Sequence, residues 1–222
     1  MSSSSTETRR TRESRRGFTL LECAISLVIL IVLMVVVGQV VLAGSRAFRE
    51  GSTQEALAMK TRRALDRIAD ELEMAGLSTL TPAPVAPFGS STLSLRQPTG
   101  LVNNVVQFGN TTRIALAADP GDAANGADDD QDGLVDESVV QLTKDVGLAS
   151  QRTVVLADDA CRFLEGETGN GADDNANGLV DEGGLSFLVQ GSELTVRLSL
   201  QGLDPNRQRI TSTARVSIRI RN

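Results

Sequence analysis

Residues 15–22 read Arg15-Arg16-Gly17-Phe18-Thr19-Leu20-Leu21-Glu22, and they open onto residues 23–45, a run without formal charge dominated by Ile, Leu and Val. A helix needs about 20 such residues to cross a bilayer, so this run is long enough. It exceeds the apolar stretch of an ordinary secretory signal. The charged Glu22 at its entrance argues against a lipoprotein signal ending at Cys23. Gly17 leaves a stretch of backbone with no side chain in the way. A lone carboxylate at the edge of hydrocarbon is costly, so Glu22 is expected to have a dedicated partner.

Working outward, residues 1–17 carry five arginines and two glutamates, a net of +3, so the rest of the chain sums to −9. Arginines ahead of the span, against Arg46, Arg49 and Lys60 after it, favour a cytoplasmic leader and an exported body. That body has no Trp and no Tyr and is acidic, so it lacks both the counter-charge and the stacking platforms of a nucleic-acid binder. The chain has no histidine, which excludes His-based catalysis and His-ligated zinc or iron. The two cysteines, Cys23 in the apolar run and Cys161 in the distal half, are not expected to pair. Cys161 reads as a small buried residue, its thiol raised by Asp158 and Asp159 rather than activated. No enzyme is expected.

The helix should continue past the apolar run. No proline falls between Phe18 and Leu80, and Leu57, Ala64, Leu65, Ile68, Leu72 and Ala75 recur on one face. Arg62, Arg63, Asp66, Arg67, Asp70, Glu71 and Glu73 fill the other, with Arg62–Asp66 and Arg67–Glu71 spaced as ion pairs. Gly76 is placed to cap the end.

Residues 78–91, rich in Pro, Ser and Ala, read as a connector. Strand-like runs follow at 92–96, 102–108, 113–117, 139–142, 153–156, 185–190, 193–200 and 210–220. The last three alternate, as in Leu194, Val196, Leu198 and Leu200 against Thr195, Arg197 and Ser199. An antiparallel sheet with one face buried on the amphipathic helix is expected, an α+β head.

The ordered series Arg15-Arg16-Gly17-Phe18-Thr19-Leu20-Leu21-Glu22 before a spanning helix resembles the processing site of type IV prepilins and type II secretion pseudopilins. The resemblance implies cutting between Gly17 and Phe18 by a prepilin peptidase and methylation of the new N-terminus at Phe18. It also implies a role for Glu22 in assembly, through pairing with the positive N-terminus of a subunit. The implied fold is pilin-like: a cleaved leader (1–17), a membrane or filament-core helix (18–45), its amphipathic continuation (46–76) and a β-rich head (77–222). The implied partners are other pilin or pseudopilin subunits and an inner-membrane assembly platform. The implied location is the bacterial inner membrane with the head periplasmic, and then the filament. Within the family, Leu72-Glu73-Met74-Ala75-Gly76 and the closing Arg219-Ile220-Arg221-Asn222 look most like minor pilins of the PilW type and the pseudopilin GspJ.

One internal repeat lies in the head. Residues 125–137 read NGADDDQDGLVDE and residues 170–182 read NGADDNANGLVDE, identical at ten of thirteen positions with an offset of 45. With Gly133 as the sixth position of a calcium loop, Asp128, Asp130 and Asp132 fall at one, three and five. Asp173, Asn175 and Asn177 do so before Gly178. Alternate oxygen side chains in a tight glycine turn can converge on one hard cation, with the Leu134 or Leu179 carbonyl as the next ligand. The twelfth position is Val139 or Gly184 and carries no carboxylate, so each loop must close early, through Asp136 and Glu137 or through Asp181 and Glu182. We therefore expect one or two Ca2+ ions that stabilise the head, the first loop binding more tightly. The alternatives are solvated acidic turns, or a calcium-dependent adhesive or cargo-binding tip.

Overall fold

The computed structural model describes residues 19–122 and 124–219. The leader, Gly17 and Phe18 lie outside the described residues, as do Ile220, Arg221 and Asn222. The chain divides into two compact units, Met1–Ala47 and Phe48–Asn222.

In the first unit, the single described element is the opening stretch of helix α1 (Leu20–Glu73), which is long and apolar enough to cross a membrane. Thr19 and Glu22 form a reciprocal cap at its start. The Glu22 carboxylate accepts from the Thr19 amide at 3.0 Å, and the Thr19 hydroxyl accepts from the Glu22 amide at 3.2 Å. Two of the donors that a helix start leaves unpaired are satisfied this way. The helix continues through Gly38 and Gly44, where an added Cβ would meet nothing within 4 Å.

In the second unit, α1 ends two residues before Ala75, and Gly76 does not cap it in the left-handed conformation. Gly76 has φ −82 and ψ 131, extended backbone, and begins the short 3-10 helix η1 (Leu77–Thr79). Glycine is needed there for space instead: a Cβ would lie 2.8 Å from the Phe108 ring. The exposed Arg62 and Asp66 form no ion pair among the described residues, and at the surface such a pair would gain little. Glu71, expected on the outer face, is buried. Its carboxylate is held by Lys144 at 2.8 Å, Arg67 at 3.6 Å and the Gln97 amide at 3.2 Å.

Seven strands build one antiparallel sheet: β1 (Thr92–Val102), β2 (Val105–Ala118), β3 (Ser138–Lys144), β4 (Arg152–Ala160), β5 (Leu185–Gln190), β6 (Glu193–Leu203) and β7 (Arg209–Arg219). The order is β1-β2-β3-β4-β6-β5, with β7 on β6. Residues 102–108 are not one strand as expected. Asn103 and Asn104 take φ 51 and 63, and this two-residue turn makes 92–118 a long hairpin. Such a left-handed pair is the turn whose twist matches antiparallel strands, and Asn tolerates it.

The connector is also more than a link. Val189 donates to the Pro84 carbonyl at 2.6 Å, while Phe187 and Ser90 exchange backbone bonds at 2.8 and 3.1 Å. It thereby covers the free edge of β5, which would otherwise present unpaired backbone groups.

Leu57, Ala64, Leu65, Ile68 and Leu72 share one core with Leu93, Leu95, Ile114, Phe187, Leu194, Val196, Leu198 and Leu200. The period-two face expected of β6 is therefore the buried one. Each of the larger side chains among them contributes about 1.5–3 kcal/mol on leaving water, which makes the helix and sheet one cooperative unit.

Candidate functional site

The two acidic repeats connect strands at different places in the sheet. The first joins β2 to β3, and the second lies between β4 and β5. They fold alike. Gln131 and Ala176 have φ 66 and 56, Gly133 and Gly178 have φ 95 and 87, and Asp136 and Asp181 have φ 55 and 51. These matched left-handed residues turn each loop back on itself, and the glycine pair adopts them without steric penalty.

Side chains then tie the loops from inside. Asp128 accepts from the Gly133 amide at 3.0 Å and Asp173 from the Gly178 amide at 2.8 Å. Asp132 accepts from the Leu134 amide at 2.8 Å and Asn177 from the Leu179 amide at 3.0 Å. Asn175 accepts from the Asn177 amide at 3.1 Å, as Asp130 does from that of Asp132 at 3.1 Å. The side chains of Leu134 and Leu179 are buried and anchor each loop on the head.

Asp128, Asp130 and Asp132 converge. One carboxylate oxygen from each lies within 4.8 Å of the others. A Ca2+ ion with bonds of about 2.4 Å spans such a gap, whereas three like charges without a cation repel one another.

Glu137 and Glu182 are buried at the closing end of each loop, directly before β3 and within three residues of β5. Asp136 and Asp181 instead face the loop entrances. Asp136 accepts from the Gly126 amide at 2.9 Å, and Asp181 accepts from those of Asn170 and Gly171 at 2.9 and 3.0 Å. Among the expected ligands, they are the pair committed to backbone donors at the start of the repeat.

Position twelve has a structural explanation. Val139 is a core residue of β3, and Gly184 runs against the backbone of Cys161. Neither position can present a carboxylate to the loop.

Sequence reasoning overlooked Asp122 and Glu167. Both are buried, and they are 45 residues apart, like the repeats. Asp122 accepts from the Asp129 amide at 3.0 Å, and Glu167 accepts from the Asn175 amide at 2.9 Å. The available signal was an acidic residue three positions before each Asn-Gly.

Burial, together with a hydrogen bond to Asp122 and the nearby Asp132 charge, pushes the Glu137 carboxyl up to about 7. Asp122 is held below the usual range, chiefly by the Asp129 amide. An acid whose folded pKa is raised binds its proton more tightly in the folded state. Its favourable contribution is therefore present at low pH and lost as pH rises from 4.5 to about 7. In chelator, the protein should lose about 2–3 kcal/mol of stability between these limits through Glu137. Urea unfolding of the wild type and Glu137→Gln across that range checks this. Equal pH slopes in the two proteins would refute it.

Elsewhere, both cysteines are free. The Cys161 thiol is pushed up to about 11 by burial, with Glu165 the carboxylate that adds to it and Arg209 opposing. Asp158 and Asp159, expected to do this, are engaged with Lys60 at 2.5 Å each.

A capped apolar helix, continued as the spine of an antiparallel α+β head, defines the pilin-like class of fold. Residues 12–38 match the family model for the prokaryotic N-terminal methylation motif, which is characteristic of type IV pilins and pseudopilins. No curated protein and no solved structure matches the chain.

Proposed function

We propose that the chain is a minor pilin or pseudopilin: a membrane-inserted, peptidase-processed subunit that joins or primes a type IV filament, its head stabilised by calcium. The observation that carries this is the methylation motif at residues 12–38, running directly into the apolar start of α1. The peptidase cuts after Gly17, Phe18 becomes the methylated terminus, and the helix leaves lipid for the filament core. With the leader cytoplasmic, the head is exported. Glu22, which caps α1 within its own chain, pairs on assembly with the positive N-terminus of a neighbouring subunit. Two opposite charges that are costly in hydrocarbon are then buried as one neutral pair.

Mass spectrometry of sheared filaments should find the chain beginning at N-methylated Phe18. A Gly17→Leu chain should retain residues 1–17 and stay in the membrane, absent from filaments. Wild-type filaments containing the chain with its leader attached would refute processing. Normal incorporation of Glu22→Ala would remove the pairing role.

The loops support the calcium part of the proposal. Hard oxygen donors at alternate positions, a glycine turn and a buried closing carboxylate suit Ca2+ better than a softer metal. The candidate donors are Asp128, Asp130, Asp132, the Leu134 carbonyl and Glu137 at one site. At the other they are Asp173, Asn175, Asn177, the Leu179 carbonyl and Glu182.

A further inference from the structure

The folded duplication is longer than the one visible in the sequence. The Asp119 amide donates to the Glu137 carbonyl at 3.2 Å, and the Leu164 amide donates to the Glu182 carbonyl at 3.0 Å. The Asp122 amide donates to the Asp119 carbonyl at 3.3 Å, and the Glu167 amide donates to that of Leu164 at 2.9 Å. Each structural copy therefore begins six residues before the sequence identity does, and its first turn delivers a buried carboxylate, Asp122 or Glu167, to the loop.

Four buried carboxylate oxygens among the described residues have no hydrogen-bond donor, and all four belong to these two copies: Asp128 Oδ1, Glu137 Oε1, Glu167 Oε2 and Glu182 Oε2. Glu137, Glu167 and Glu182 are only 4%, 7% and 3% exposed. A carboxylate oxygen removed from water without a partner is costly, and such oxygens persist where a ligand completes them. Two per loop, with opposite charge required, is what a divalent cation supplies.

The copies differ in one informative way. In the first, both Asp122 oxygens are occupied by loop amides, from Asp129 at 3.0 Å and Glu137 at 3.4 Å. Glu167 is longer by a methylene. One of its oxygens takes the Asn175 amide at 2.9 Å and the other is left over. In that same copy, Asn175 and Asn177 replace the charged Asp130 and Asp132. The Glu182 carboxylate is partly occupied by the Asn177 side-chain amide.

We infer that Glu167, outside the repeated sequence, is a ligand of the cation at the second loop, supplying charge that Asn175 and Asn177 lack. Asp122 is its counterpart at the first loop, a positioning residue that holds the Asp129 and Glu137 backbone. This rests on the calcium reading above and extends its ligand set. The second site gains a carboxylate, which narrows the affinity gap expected from the repeats alone.

The test is isothermal titration of Ca2+ into the full-length chain in detergent, stripped with chelator. Wild type should bind two ions. Glu167→Gln should weaken one by about 100-fold or more and leave the other unchanged. Its calcium-free melting temperature should stay level or rise, because a buried carboxylate with one oxygen left unpartnered has been removed. That opposite-sign pair of effects is what a merely structural Glu167 would not give. Asp122→Asn should keep both ions and lower the affinity of one by about 10-fold. If Glu167→Gln fails to fold, Glu167→Asp, which retracts the carboxylate, should weaken the same ion. Two ions bound with wild-type affinity by the Glu167 variants would overturn this inference and leave the calcium reading standing. No binding by wild type would overturn both.

Discussion

Gly184→Ala is expected to destabilise the head by more than about 4 kcal/mol, a loss reserved for substitutions that the backbone cannot absorb. A Cβ at this position would lie 1.9 Å from the Cys161 carbonyl oxygen and 2.8 Å from its carbonyl carbon. Both atoms are main chain, so no rotamer change relieves the clash. The three segments that meet there are also tied together. Gly184 donates to the Arg162 carbonyl at 3.2 Å, Ser199 donates to Gly184 at 2.7 Å, and Cys161 donates to Ser199 at 3.0 Å. Moving any one of them breaks the junction where Ala160 of β4 pairs with Leu200 of β6. For a chain of this size the melting temperature should fall by about 8–16 °C. Gly100→Ala, where a Cβ meets nothing within 4 Å, is the control and should cost less than about 1 kcal/mol. Thermal unfolding followed by circular dichroism decides it. A Gly184→Ala melt close to wild type would mean that the three backbones do not cross as described.

Stripping calcium should have an effect of similar size. At a free ion concentration 100-fold above Kd, one site stabilises by about 2.7 kcal/mol, and two sites give about 5 kcal/mol. The melting temperature should then drop by about 10–20 °C in chelator and recover on adding Ca2+. The physical source is the set of carboxylates whose buried oxygens have no other partner, Glu137 and Glu182 above all. A melt insensitive to chelator would sink the calcium proposal while leaving the filament proposal intact, because the latter rests on residues 12–38.

Much of the architecture was legible in the residues. The apolar run, the face made by Leu57, Leu65, Ile68 and Leu72, and the alternation of Leu194, Val196, Leu198 and Leu200 are periodic signals. Each reports which side of an element is buried. The hairpin at Asn103–Asn104 was misread because Val102 and Val105 flank it with β-branched residues, and the turn chemistry sat unnoticed between them. The connector's pairing with β5 could not be read at all. Its bonds are made by backbone groups that every sequence carries, and Pro84 accepts through its carbonyl despite lacking an amide.

The candidate loops divide in the same manner. Alternating Asp128, Asp130 and Asp132 before Gly133 are a local pattern, so spacing alone reveals them. Asp136 and Asp181 are equal candidates by spacing, and the structure adds that they share left-handed backbone and accept from the Gly126 and Gly171 amides at the loop entrances.

By itself, the sequence determined the long apolar helix, the methylation motif at residues 12–38, the amphipathic spine and the duplicated acidic turn, because each depends on composition or spacing within a few residues. Only the tertiary structure decided that Glu137, Glu182 and Glu167 are buried with oxygens left unpartnered, and that Gly184 stands where no side chain fits. Burial and backbone crossing arise when the turn before each loop and the edges of β3, β5 and β6 pack together, and those contacts join residues that lie far apart along the chain.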